Sequence, residues 1–392
     1  MSEIKVNSIK GVAASTAALT INNTDGTCTA NITNKPNRNL IINGAMLVAQ
    51  RGTSSTSSGY GSIDRINQQF GGTDEAPTFA QVDVASGTTP YTNGFRKALK
   101  ITNGNQTSGA GSSDYIYPQT VLEAQDIANS GWNYTSASSY ITISYWVKSS
   151  VAQNFYGLIT SSDGTAQAYV WETGSLTADT WTKITKTISG NSNLVFNNDT
   201  GAGMYVAPIR AFDGTDRTGS MSLNAWAAYS GSARTPDQTS TWYTTNDATL
   251  EITGLQLEVG SVATDFEHRT FAQELALCQR YFYQFTKIGS TSEVTNMPVG
   301  TGVYYTSSDF RCNVDFPVEM RAAPTLSSND NSGSYYIHYN SNFDTIDRLD
   351  SFHNTKKRSM MRNTAQASGT QGYPGLLHQE TGDSNLSFSA EL

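Results

Sequence analysis

The stretch from Thr253 to Phe285, GLQLEVGSVATDFEHRTFAQELALCQRYFYQF after its leading Thr, changes its apolar period within a single segment. Leu255, Leu257 and Val259 alternate with Gln256, Glu258 and Gly260, the period-two pattern of a half-buried β-strand. Phe271, Leu275, Cys278, Phe282 and Phe285 then follow at spacings of four, three, four and three residues, the a/d seam of a coiled coil. Thr270 with Gln273 three residues later forms a capping box, which predicts a helix across 268–286. Isolated helices below ~12–15 residues are marginal in water, so a seam of about two heptads must be buried. Its partner is either the chain's own β domain or copies of the same helix around a symmetry axis, and the spacing fits both.

The remaining sequence is β-like. Ser, Thr, Asn and Gly dominate, only 15% of residues are charged, and there are 20 Tyr, a composition suited to short strands and polar turns. At 392 residues the chain is expected to hold two or more domains. A net charge of −8 argues against nucleic acid, whose phosphates demand a basic surface. Cys28, Cys278 and Cys312 are too few and too dispersed for a disulfide framework or a metal cluster, and are expected to be reduced thiols. No run approaches the ~20 apolar residues of a membrane span. The Ala/Ser/Thr-dominated stretch after Lys10 lacks a secretory apolar core, so synthesis and folding in a cytoplasm are expected.

Residues 1–38 read as an extended arm with too little apolar surface to order alone, closed by a Lys35-Pro36-Asn37-Arg38 linker. From 39 to 267, strand patterns recur about every 8–12 residues between turn signals such as Asn43-Gly44 and Asp163-Gly164, which predicts a jelly-roll β-sandwich. Tyr140 to Lys148 is the clearest strand, with Ile141, Ile143, Tyr145 and Val147 on one face and Trp146 on the other. Leu250 and Ile252 have even parity but Leu255 and Leu257 odd, so a β-bulge is expected at Gly254. A second β domain is expected over 287–392, ending in a strand that carries Leu386, Phe388, Ala390 and Leu392 on one face. The fold class is therefore mainly β, with one short central helix.

Catalytic signatures are missing: there is no nucleophile elbow, zinc-protease helix, P-loop or dinucleotide fingerprint, and the four His are scattered. No enzyme and no cofactor are expected, with Asp213 and Asp216 in AFDGTDR offering either a Ca²⁺ site or an ordinary Asx turn. The chain does place aromatic rings among polar residues. Trp226, Tyr229, Trp242 and Tyr243 lie in a Ser/Thr-rich region, and Tyr335, Tyr336 and Tyr339 precede a basic run that includes Arg358. Such rings stack on the C–H faces of sugars while neighbouring amides and hydroxyls bond the sugar hydroxyls, so all eight residues are candidate glycan contacts. Packing beneath loops is the competing reading.

Four segments carry a resemblance: RNLIINGAMLVAQRGTS (Arg38 to Ser54), LQLEVGSVATDFEHRTFAQELALCQRYF (Leu255 to Phe282), FPVEMRAAPT (Phe316 to Thr325) and the ending SFSAEL. They resemble tail-fibre proteins of marine and cyanobacterial bacteriophages, and MSEIKVNSIKG is similar to the virion-attaching starts of such fibres. The resemblance implies a virion tail protein, made in the host cytoplasm, with a jelly-roll domain like carbohydrate-binding modules. It implies a homotrimer, joined along the Phe271–Phe285 seam and docked through residues 1–38 to a tail adaptor or nozzle protein. Its expected ligand is host cell-surface polysaccharide or lipopolysaccharide. A ligand-free structural tail component and, less favoured, a depolymerase tailspike are the alternatives; no β-helical repeat supports the latter.

Overall fold

The structure is a computed structural model that describes residues 6–9, 19–21, 28–30, 37–286, 297–328, 333–379 and 385–392. Most of the expected attachment arm and the Lys35-Pro36 half of its linker lie outside the described residues. The described parts of the arm form a three-stranded antiparallel sheet of Ser8–Ile9, Leu19–Ile21 and Cys28–Ala30.

The fold is mainly β. Two antiparallel sheets, of seven and six strands, face each other to make the large sandwich. Strand parity explains the packing. In Tyr140–Ser149, Ile141, Ile143, Tyr145 and Val147 are fully buried between the sheets, while Trp146 faces outward. Thr249–Val259 runs beside it and carries the expected bulge, with the register shifting between Thr253 and Gln256. Gly254 has φ +65°, and a Cβ there would lie 2.6 Å from the Phe95 ring. One extra residue reverses parity, so Leu250, Ile252, Leu255 and Leu257 all reach the same core.

The segment 37–46 is strapped across this strand. Asn39 accepts the Ile41 and Leu257 N–H groups, each at 3.0 Å, and donates to Leu255 O at 3.2 Å. Gly44 lies so close that a Cβ would sit 2.0 Å from Leu255 O. Glu267 accepts the N–H groups of Asn37 and Asn39 at 2.6 and 2.7 Å.

The helix begins where expected, with both halves of the Thr270–Gln273 capping box formed, but it spans only Phe271–Gln279. The expected helix over 268–286 is thereby corrected. Tyr281 leaves the helix and Phe282–Thr286 is a strand paired with the terminal strand Leu386–Ser389. The run YFYQFT is aromatic and β-branched, and it favours extended backbone once a strand edge is available. Of the expected seam, Phe271, Leu275 and Cys278 are helical whereas Phe282 and Phe285 lie in the strand. Cys278 is buried against the chain's own sandwich side, Leu275 is half-buried, and Phe271 is 58% exposed. The helix is thus too short to carry a two-heptad coiled coil.

The C-terminal domain pairs a three-stranded sheet with a seven-stranded one around Tyr304, Phe310, Tyr335, Leu377, Leu386 and Phe388. Leu386, Phe388 and Ala390 are buried as expected, but Ser387 between them is buried as well, the strand ends at Ser389, and Leu392 is only half-buried. Cys278 and Cys312 are free and buried, and burial pushes the Cys312 thiol up to about 12.

Both domains meet at one polar junction. Glu123, fully buried, accepts two bonds from Arg280 at 2.8 Å and one from the Tyr281 hydroxyl at 2.6 Å. Burial opposes its charge, but these bonds outweigh burial and hold its carboxyl below the usual range. Arg65 pairs with Glu391, and Arg51 reaches the same carboxylate at 3.2 Å while lying 3.5 Å over the Phe282 ring. Arg321 donates to Ala390 O at 2.7 Å and, across the junction, to Thr200 O at 2.8 Å.

Candidate functional site

The outer face of the seven-stranded sheet is built by the same alternation that fills the core. In Tyr115–Glu123, Ile116 and Leu122 point inward while Tyr115, Tyr117 and Gln119 point out. Register then aligns side chains across the neighbouring strands Ala202–Arg210, Asn154–Ser161 and Gln167–Ser175. One row runs Tyr205, Thr160, Ala168, the next Ala207, Leu158, Val170, and a third Arg210, Tyr156, Glu172.

The chain from 214 to 240 folds over part of this face. Met221 and Leu223 cover the row of small and aliphatic residues, and Trp226–Ala228 adds a short edge strand. Tyr229 N–H donates to Ala166 O at 2.8 Å, and Arg234 N–H to Arg217 O at 2.8 Å, so both side chains are placed by the backbone. What stays open is a cleft of about 280 Å³, walled by Tyr117, Gln119, Thr160, Ser161, Tyr205, Arg210, Tyr229 and Arg234.

An ordered charge ladder supports its floor. Arg210, fully buried, lies 3.5 Å over the Tyr117 ring and forks onto Asp213, and Arg217 lies 3.8 Å over Tyr115 and reaches Asp213 at 3.2 Å. Burial alone would lower the Arg210 pKa, but Asp213 outweighs it and keeps the guanidinium charged. Asp213 is thus committed to two arginines, and Asp216 accepts the Ser112 and Ser113 hydroxyls at 2.7 Å each. Asp213 therefore faces arginines, whereas the Asp216 carboxylate stays exposed, and its two serine bonds hold its pKa below the usual range. Among the described residues no cluster of three His, Cys, Asp or Glu is placed to hold a metal.

Of the eight glycan candidates, Tyr229 alone lines the cleft. It is 37% exposed, and partial burial raises its phenol pKa, so it stays a neutral donor. Trp226 is half-buried, with its ring 5.3 Å from Tyr169 and its indole N–H on Ser189 O at 2.7 Å. Trp242 and Tyr243 are corrections. Both are buried at the edge of the core, Tyr243 stacked on Phe212 at 4.2 Å, with its hydroxyl on Asp114 at 2.8 Å. Asn103 turns this polar segment inward by donating to Tyr243 O at 2.6 Å and Thr245 O at 3.1 Å.

The C-terminal candidates do not converge either. Tyr335 is fully buried, which removes its ring from any ligand, and Tyr336 stacks on His378 at 5.0 Å. Tyr339 packs on Tyr304 at 4.7 Å, and Arg358 is exposed and paired with Asp315 at 2.9 Å. Tyr117, Tyr205 and Arg234 are cleft residues that the sequence reading missed. Parity within YIYPQTVLE was a usable signal for Tyr117, since its neighbours Ile116 and Leu122 occupy the opposite face.

Larger depressions differ in character. One of about 480 Å³ on the six-stranded sheet exposes Trp146 and Lys183, but its Phe95, Phe266 and His268 rings pack on one another at 4.9–5.1 Å. Another of about 710 Å³ lies between the 37–42 strap and Leu277. Among the described residues no helix is long and apolar enough to cross a membrane.

No family model and no curated protein matches the chain. Several solved structures are similar to it in part. The enzymatically active domain of tailspike protein 4 of bacteriophage CBA120 is 8% identical over 58% of this chain and 22% of its own, with a TM-score of 0.31. The tandem CBM22 domain of a Paenibacillus barcinonensis protein is 10% identical over 92% of this chain and all of its own, with a TM-score of 0.26. A family 11 carbohydrate-binding module of a Clostridium thermocellum cellulase is 11% identical over 55% of this chain and 98% of its own, with a TM-score of 0.25.

Proposed function

We propose that this chain is a bacteriophage tail fibre that recognises a host-surface glycan through the cleft on its seven-stranded sheet. The observation that carries the reading is the cleft itself: tyrosines from two strands and a loop surround one opening, with the Gln119 amide and the Thr160 hydroxyl at its edge. Tyr rings offer apolar faces and polar rims at low entropic cost, which is what a pyranose needs. Among the described residues no Asp or Glu lines the cleft, so the paired carboxylates of glycoside hydrolysis have no counterpart among them, which supports binding without cleavage. The tail assignment rests on the four segments that resemble tail fibres, and the arm of residues 1–38 is the part that would dock to a tail adaptor or nozzle.

In this reading the chain works as a trimer, because three weak sugar contacts give useful avidity. Phe271 and Leu275 at the open end of the helix are its inter-chain contacts. Binding of the full chain to an array of host polysaccharides and lipopolysaccharides, with Tyr229→Ala and Tyr205→Ala beside it, tests the cleft. Binding that survives both substitutions refutes the site. Light scattering at micromolar concentration tests the trimer, and a monomer refutes that part.

A further inference from the structure

We infer that the cleft takes an acidic sugar, with Arg234 as the group that reads its carboxylate, an inference that rests on the proposed glycan site and adds the ligand's charge to it. The three arginines around the cleft are not equivalent. Arg210 and Arg217 share Asp213 and lie flat on Tyr117 and Tyr115. Arg234 has no such commitment. Among the described residues no carboxylate pairs with it, its Nε is shielded from solvent without a hydrogen-bond partner, and its guanidinium lies 6.0 Å from the Tyr229 ring.

The surroundings favour an anion. The chain carries 33 acidic against 25 basic residues, yet among the described residues no acidic side chain lines the cleft. Placement is not left to a flexible surface side chain. The Arg234 backbone is pinned to Arg217, Thr218 bridges Thr235, and Gly219 N–H donates to Thr235 O at 2.9 Å, so the loop presents the guanidinium to the opening. A planar fork matches a carboxylate in two parallel bonds, while Tyr229 and Tyr205 offer faces to the ring that bears it. The class is therefore a uronic or other carboxylated sugar rather than a neutral hexose.

The test compares oligogalacturonate and oligomannuronate with carboxyl-reduced forms of the same oligosaccharides, by calorimetry on the full chain. The expected result is tighter binding of at least one acidic form by about 10- to 100-fold, the range of a charge-assisted bond pair. Arg234→Gln should erase that difference at an unchanged melting temperature, and Arg234→Lys should restore part of it. Equal binding of acidic and reduced forms, lost on Tyr229→Ala, overturns the charge inference and leaves the glycan site standing. An acidic preference that persists in Arg234→Gln overturns Arg234 as its reader. Failure of both forms to bind overturns the acidic class, and the polysaccharide array then decides separately whether the cleft binds any glycan.

Discussion

The junction between the domains and the cleft on the sandwich use the same residue types to opposite ends. At the junction, Arg51, Arg65, Arg280 and Arg321 each find a carboxylate or carbonyl, and Tyr281 and Phe282 lie beneath two of the guanidiniums. At the cleft, tyrosines and two arginines, Arg210 and Arg234, surround an opening, and the Nε of Arg234 lacks an acceptor. All four segments that resemble tail fibres meet at or beside the junction: Asn39 and Arg51 from the first, Leu257 and Arg280 from the second, Arg321 from the third and Glu391 from the fourth. None of the cleft residues comes from them. The segments that carry the resemblance thus lie where the domains are joined, and the cleft lies outside them.

The sharpest way to break this contrast is at Glu123. Removing one partner of a buried ion pair costs about 3–5 kcal/mol when the other charge is stranded in the interior, and about 2–3 kcal/mol is expected here because Arg280 keeps 29% of its side chain in solvent. Glu123→Ala leaves Arg280 and the Tyr281 hydroxyl without their acceptor and should lower unfolding free energy by that amount in urea titration. A loss below 1 kcal/mol would mean that the junction is not the structural element described. Asn39→Ala, which removes three buried bonds linking the strap to the bulged strand, should cost about 2 kcal/mol by the same measurement.

A smaller effect comes from Asp64, which sits behind Arg51 at 4.0 Å and accepts from Gln50 N–H at 3.0 Å. Burial raises its pKa from 3.8 to about 6, more than those partners lower it. The folded state therefore holds this proton more tightly than the unfolded chain. Its contribution is complete below pH 3.8 and is lost as pH rises through about 6. Burial raises Glu274 in the same direction, whereas Glu123, held low, loses stability as pH falls below the ordinary carboxylate range. Between pH 5 and neutrality the Asp64 contribution should therefore fall by about 1.4 kcal/mol, because one pKa unit is about 1.4 kcal/mol and only the last unit below its folded value of about 6 is left to lose. A stability curve flat from pH 5 to 7.5 would contradict the burial of Asp64. Asp64→Ala should flatten it.

Much of the sandwich was readable in the residues, because local patterns decide it, whereas the ion pairs of the junction join residues far apart in sequence. Parity placed Ile141 to Val147 in the core, the parity switch located the bulge at Gly254, and Thr270 with Gln273 marked the helix start. The helix end was not readable. Cys278, Phe282 and Phe285 satisfy a heptad, while Phe282 to Thr286 also suit a strand, and the choice is made by the terminal strand Leu386–Ser389, a hundred residues away in sequence. Trp242 and Tyr243 looked exposed because their sequence neighbours are polar, but those neighbours are turned inward by Asn103. The cleft was hardest, since Tyr117, Tyr205 and Arg234 share a site only through strand register and a folded-over loop.

The smallest stability change should come from the cleft, and that is what separates it from the junction. Tyr229 and Tyr205 are partly exposed and close no buried polar network, so truncating either should change unfolding free energy by no more than about 0.5 kcal/mol. Their faces and hydroxyls are instead available to a ligand. Ring stacking is worth roughly 0.5–1.5 kcal/mol beyond area burial, so Tyr229→Ala should weaken glycan binding by about tenfold at unchanged melting temperature. The pairing of the two readouts carries the argument. If Tyr229→Ala lowers stability as much as Asn39→Ala, its ring belongs to the scaffold and the cleft is only a packing defect. If stability holds and affinity falls, the open tyrosines do for a sugar what the buried ones at the junction do for arginine.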